Sequence, residues 1–301
     1  MRERVSRFRN PESRARVEAW SARLREASPL SWRTFTCPTS WGDTWITASD
    51  TGGPEQPALV IVPGFRTCGL FWELGGGLQQ IADHFRIYLL DVIGQPGLSS
   101  GRTPPLRGPG YGRWLTEVLD GLGLESAHLA GASFGGQLIF ALAGAAPERI
   151  LSATLMNPAA LQPVDLLNRK LIWYNIRTFL APDLYNARLF MERVIITPLH
   201  GLSPERMDWC VEFLQIALTG FRNGADYPYQ LPDAAIAALR APVCLILGSE
   251  DPLFPAARSE ARARALLPGL REVHCMEGYS HGIEVAPTAI RHMGAFLLGL
   301  R

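Results

Sequence analysis

Gly131-Ala132-Ser133-Phe134-Gly135 sets a serine between small residues in the pattern G-x-S-x-G. In a chain with 29 glycines the pattern alone is weak evidence, and its surroundings carry more weight. It follows the short apolar run Ala127–Ala130 and leads into a mostly apolar stretch of helical character, from Gln137 to Ala146. A serine on a sharp strand-to-helix turn needs small neighbours, which Gly131, Gly135 and Gly136 supply. Such a turn lifts the hydroxyl into a cleft above a helix N-terminus, whose N–H groups favour developing negative charge.

A serine hydroxyl is a poor nucleophile until a base removes its proton, and that base must be held in the right tautomer. A carboxylate and a histidine are therefore expected downstream, each just after a strand. The run Val243–Leu247 precedes Gly248-Ser249-Glu250-Asp251-Pro252, which places Asp251 in a turn at a strand end. The run Glu272–Met276 precedes Glu277-Gly278-Tyr279-Ser280-His281-Gly282, which places His281 in the same way. Glu250 competes with Asp251 for the acid role, but the Asp-Pro step suits a turn that projects its aspartate. The other five histidines (His84, His128, His200, His274 and His292) read as structural or surface residues. Acyl chemistry also needs donors for an oxyanion. The backbone N–H of Phe134 is one candidate, and that of Phe65, in Pro63-Gly64-Phe65-Arg66 after Ala58–Val62, is the other.

These residues need a scaffold that brings strand ends together. Arg33–Cys37 and Thr44–Ser49 read as early strands of a hairpin. Ala58–Val62, Arg86–Leu90, Ala127–Ala130 and Leu151–Met156 have the apolar character of strands buried on both faces, with helical patterns between most of them. Two more such runs, Val243–Leu247 and Glu272–Met276, come near the end. Strand–helix alternation implies an α/β fold with a mostly parallel central sheet flanked by helices. Residues 161–231 differ, with aromatics such as Trp173, Phe190, Trp209 and Phe213 at irregular or helical spacing and no convincing strand. They read as a helical cap inserted into a core of residues 32–160 and 232–301. Residues 1–31 read as an amphipathic helical extension, with Asn10 as N-cap and Val17, Trp20 and Leu24 on one face.

The chain thus resembles the α/β-hydrolase superfamily, and within it the cap-bearing esterases and related hydrolases, over about residues 32 to 301. The family's nucleophile elbow falls on Gly131–Gly135, its acid on Asp251, its base on His281 and its oxyanion loop on Pro63–Phe65. Members commonly carry His-Gly where this chain has Pro63-Gly64. A family stretch of the form Asp-x-x-Gly-x-Gly-x-Ser appears as Asp91 to Ser99 with its second glycine shifted, which suggests a less common branch. The resemblance implies a serine esterase acting on small to medium apolar esters through an acyl-enzyme. A lactonase, thioesterase or carbon–carbon bond hydrolase, a cofactor-free perhydrolase, and a slow-turnover ligand receptor are the alternatives. Superfamily members with an aspartate nucleophile are disfavoured by Ser133.

Composition narrows the partners. A formal charge of +1 gives no bias toward nucleic acid or anionic membranes. Five scattered cysteines without a C-x-x-C pair argue against a disulfide framework or zinc site and fit a reducing compartment. No metal or nucleotide motif is present, so no cofactor is expected. The charged start lacks the apolar segment of a secretory signal, and no apolar run is long enough to span a membrane. The expected setting is cytoplasmic and the expected partner a small-molecule ester, with self-association left open.

Overall fold

The computed structural model of the protein describes residues 7–49, 51, 53–165, 167–222 and 227–300. Its frame is a nine-stranded sheet: β1 (Arg33–Thr39), β2 (Gly42–Ser49), β3 (Ala58–Val62), β4 (Arg86–Leu90), β5 (Ser100–Gly101), β6 (Ala127–Ala132), β7 (Ile150–Met156), β8 (Val243–Gly248) and β9 (Leu270–Met276). The order is β1-β2-β4-β3-β6-β7-β8-β9, with β5 pairing on β2. From β4 to β9 the pairings are parallel, and β1, β2 and β5 join antiparallel.

Side-chain alternation explains why the sheet is covered on both sides. In β3, Leu59 and Ile61 enter one core with Ile87 and Leu89 of β4. Val60 and Val62 enter the other with Tyr88 and Leu90. All five residues of β3 are buried, so the strand reads as an unbroken apolar run rather than an alternating one. The second core is closed by α2 (Gly110–Gly121), α3 (Phe134–Ala145), α7 (Asp233–Ala237) and α8 (Ala256–Leu266). The first is closed by α9 (Pro287–Leu298) together with α1 (Pro11–Glu26) and α6 (Pro204–Thr219).

Helix α1 starts where its side chains say it should: Asn10 accepts a hydrogen bond from Ser13 N–H at 2.8 Å. Its polar face is arginine-rich, so tertiary packing holds it in place. Val17, Trp20 and Leu24 are buried, each contributing on the order of 2 kcal/mol. Trp20 packs on Phe71 and Phe213, and its indole N–H donates to the Trp209 carbonyl at 2.9 Å.

Between β7 and β8 the chain leaves the sheet. It forms α4 (Arg169–Leu180), α5 (Leu184–Phe190), a π-helical turn at Met191–Ile195 and then α6, with no strand of the sheet among the described residues. Asn168, Asp183 and Ser203 cap the three α-helices by accepting N–H bonds. The wide turn binds back to the core: Ser280 Oγ donates to the Val194 carbonyl at 2.6 Å, and Gly282 N–H to that of Ile195 at 2.9 Å.

Candidate active site

Strand β6 runs two residues beyond the apolar run Ala127–Ala130, because Gly131 and Ala132 continue its ladder on Leu155 and Met156 of β7. Ser133 then breaks both patterns at once. Its backbone sits at φ 50, ψ −112, a region that L-residues rarely occupy. Helix α3 therefore begins at Phe134, three residues earlier than the sequence pattern suggests. The tight fold rests on missing side chains. A Cβ on Gly135 would lie 2.0 Å from the Val62 carbonyl oxygen, and one on Gly136 2.7 Å from Pro158 Cβ. The Ser133 N–H is used by the Met156 carbonyl at 2.9 Å, and its position at the N-cap of α3 leaves its side chain free of a capping bond.

Asp251 follows β8 by three residues and His281 follows β9 by five. The two meet at 2.8 Å between Asp251 Oδ2 and His281 Nδ1, and both are buried. Asp251 Oδ1 is occupied by the N–H groups of Leu253 and Phe254, at 2.8 and 3.2 Å. An ionised carboxylate only accepts, so Nδ1 carries the proton and Nε2 presents its lone pair. Burial by itself lowers the His281 pKa. The charge and hydrogen bond of Asp251, with the charge of Glu284 added, outweigh that and raise it above the usual histidine range. Glu250, the rival acid, is exposed and meets this region through its backbone, its N–H donating to the Tyr279 carbonyl at 2.9 Å and its carbonyl accepting from Ser280 Oγ at 3.3 Å.

The loop after β3 lies against the serine turn: a Cβ on Gly64 would stand 3.6 Å from Ser133 Cβ. The Phe65 ring meets that of Phe134 edge to face at 5.8 Å. Arg66 is held at φ 61, and its N–H donates to Gln95 Oε1 at 2.9 Å. Gln95 belongs to the Asp91–Ser99 stretch, which acts as a buttress. Asp91 Oδ1 accepts from Gly69 N–H at 3.0 Å and Oδ2 from Leu98 N–H at 2.7 Å, while Ser99 Oγ donates to the Asp91 carbonyl at 2.6 Å. Burial pushes the Asp91 carboxyl up to about 6.

Three contributors escaped the sequence reading. Asn157, at φ 40 just past β7, donates from Nδ2 to the His281 carbonyl at 2.9 Å and accepts at Oδ1 from Gly248 N–H at 2.9 Å. It thereby ties the ends of β7, β8 and the histidine loop. Glu284 is buried below the His281–Asp251 pair, its carboxyl raised by burial against the opposing pull of His281. Arg66 was read only as part of a loop. None of the three lies in a recognisable spacing. Among the rival histidines, His200 is buried beside Tyr279, and burial lowers it to about 4, so it stays neutral. His274 pairs with Glu272 at 2.9 Å and stacks on His292. Cys244, Glu272 and His274 bring one donor atom each within 4.8 Å of one another and are the described group that could hold a metal ion. Cys244 is buried, with its thiol pushed up to about 12 by desolvation.

Ser133, Asp251, His281 and the Phe65 loop all stand at the C-terminal ends of parallel strands, where open α/β sheets bind their ligands. The sheet order, the strained serine turn and the buried Asp–His pair are those of the α/β-hydrolase fold. Residues 57–188 match the family model described as alpha/beta hydrolase fold. The chain is 26% identical over 282 residues to carboxylesterase YbfK of Bacillus subtilis (strain 168), covering 90% of each chain. It is 27% identical over 266 residues to the uncharacterized carboxylesterase nap of the same organism, covering 87% of this chain and 85% of that one. The structure of naproxen esterase (carboxylesterase NP) from Bacillus subtilis superposes with a TM-score of 0.81 at 21% identity, over 96% of this chain and 98% of the other.

Proposed function

We propose that the protein is a serine hydrolase of carboxylic esters, with Ser133 as nucleophile, His281 as general base and Asp251 as the residue that fixes its tautomer. The observation that carries this reading is the buried Asp251–His281 hydrogen bond at 2.8 Å on the same sheet edge as a serine held at φ 50. The likeness to two proteins named carboxylesterases, across nearly their full length, supports the ester as substrate.

In the first half-reaction Ser133 Oγ attacks the ester carbonyl while His281 Nε2 takes its proton. The N–H groups of Phe65 and Phe134 stabilise the tetrahedral oxyanion, and the α3 N-terminus adds to the same field. The imidazolium, stabilised by Asp251 and Glu284, then protonates the departing alkoxide. Water attacks the acyl-enzyme with His281 again as base, releasing the acid and restoring Ser133.

The insertion of residues 161–231 serves as a cap over this edge, and residues 1–31 as a helical extension packed on cap and core. The partner is a small-molecule ester, and no described helix is long and apolar enough to cross a membrane. Hydrolysis of p-nitrophenyl acetate, butyrate and octanoate by the wild type and by Ser133→Ala tests the reading. Turnover lost in the variant, together with loss of fluorophosphonate labelling, is the expected result. A variant that keeps full activity overturns the assignment.

A further inference from the structure

Among the described residues Arg66 is a cation without a carboxylate partner. Its Cζ packs beside two aromatic rings that touch each other, 5.2 Å from the Phe65 centroid and 5.9 Å from that of Tyr227, the two centroids lying 5.6 Å apart. Its Nε is buried and has no hydrogen-bond partner. The guanidiniums of Arg149 and Arg262, also largely covered, each hold a carboxylate, Asp120 at 2.7 Å and Asp233 at 2.6 Å. Arg66 has no such carboxylate among the described residues. Burial weakens its hold on its proton, and the charge and hydrogen bond of Tyr227 offset this only in part. A buried donor without a described partner, in a strained backbone conformation, is open to a ligand.

Its location says what that ligand could be. Arg66 lines a cavity of about 370 Å³, a size suited to a small organic molecule. The walls come from the insertion and are mostly apolar, with Ile176, Phe179 and Leu180 of α4 and Leu214 and Leu218 of α6. Arg66 is its one charged lining residue and the one contributed by the loops of the sheet. The triad candidates do not line the cavity. Its link to them is the loop itself, since Arg66 directly follows Phe65, and Gly64 faces Ser133. A mostly apolar chamber with a single guanidinium in its lining fits a chain-like molecule carrying one negative charge.

We propose that Arg66 binds a carboxylate of the substrate remote from the scissile bond, so that the preferred esters are monoanionic, with an apolar chain between ester and carboxylate. This rests on the ester-hydrolase reading of Ser133. The planar guanidinium matches a carboxylate in two parallel hydrogen bonds, and the adjoining Phe65 and Tyr227 rings hold its position.

The test compares kcat/KM within two matched pairs. Monomethyl against dimethyl octanedioate puts the carboxylate in the acyl part. 6-(Butanoyloxy)hexanoate against its methyl ester puts it in the alcohol part. The wild type is expected to favour the anionic member of at least one pair, and the pair that shows the preference tells which part Arg66 holds. Arg66→Met should reduce that preference by about tenfold or more, mainly through KM, and Arg66→Lys should restore part of it. Free octanedioate should inhibit the wild type competitively and far more strongly than octane-1,8-diol, a comparison that needs no variant. A wild type without preference in either pair, or a preference unchanged in Arg66→Met, overturns the assignment. If the neutral esters are hydrolysed in a Ser133-dependent manner while the preference is missing, only the Arg66 inference falls. If no ester is hydrolysed in that manner, the ester reading falls with it.

Discussion

Asp251→Asn isolates what the carboxylate does from where it sits. The asparagine is isosteric, and its carbonyl oxygen can keep the two backbone N–H bonds that Asp251 Oδ1 accepts from Leu253 and Phe254. That places the NH₂ group where Oδ2 meets His281 Nδ1 at 2.8 Å. An amide N–H donates, so Nδ1 must become the acceptor and Nε2 must carry the proton. On the proposed mechanism Nε2 can then no longer accept the Ser133 proton, and the charge that stabilises the imidazolium is gone. The expected loss in kcat is about 10⁴-fold, as for the equivalent change in other Ser-His-Asp sites. That corresponds to roughly 5 kcal/mol of transition-state stabilisation. The assay is p-nitrophenyl butyrate hydrolysis across pH 5–9, with active sites counted by fluorophosphonate. In the wild type, raised His281 places the acidic limb of the rate profile above the ordinary histidine range: activity falls as pH drops through that value and His281 takes up its proton. In the variant that limb should move downward, because the cation loses its counter-charge. A variant with less than about tenfold loss, or with an unmoved limb, would refute the tautomer argument.

Three further outcomes follow from the packing. A methyl group on Gly135 would collide with the Val62 carbonyl oxygen at 2.0 Å and that of Pro63 at 2.9 Å, so Gly135→Ala should displace both the serine turn and the oxyanion loop. A loss of at least about 100-fold in kcat/KM, with stability lowered by about 1–3 kcal/mol, is expected from activity and urea unfolding; near-wild-type activity would contradict the close approach. Glu73 is buried, and desolvation pushes its carboxyl up to about 7 despite the Ser28 hydrogen bond and the Arg206 charge. Its folded value lies above its unfolded one, so ionising it destabilises the fold, and wild-type stability declines as pH rises from about 4.5 to about 7. Glu73→Gln should therefore gain on the wild type between pH 5 and 8, by up to about 3 kcal/mol, and a difference independent of pH would count against it. Trp20→Ala should cost about 3–5 kcal/mol in urea unfolding, because Trp20 joins α1 to Phe71 of the core and Phe213 of the insertion; a cost below 1 kcal/mol would mean that α1 is an appendage.

The sequence by itself determined the local elements and the chemistry on their ends. Apolar runs marked β3, β4, β6, β7 and β8 because strands buried on both faces leave few polar positions to blur the pattern, whereas β9, at the sheet edge and mostly part-exposed, carries a mixed one. Gly131, Ser133 and Gly135 marked the turn because only small residues permit so close an approach of backbones, and Asn10 marked the start of α1 through its own side-chain bond. Asp251 and His281 were legible as residues just past strands. Only the tertiary structure decided that they meet, since the sheet order that sets β8 beside β9 is fixed by long-range pairing rather than local preference. It also decided the roles of Asn157, Glu284 and Arg66. Asn157 bonds a residue 124 positions away, and Glu284 owes its shift to burial. Arg66 lacks a described carboxylate partner because the fold partly buries it beside Phe65 and Tyr227 and supplies none. Burial and long-range contact are properties of the folded chain, and no spacing along the sequence encodes them one residue at a time.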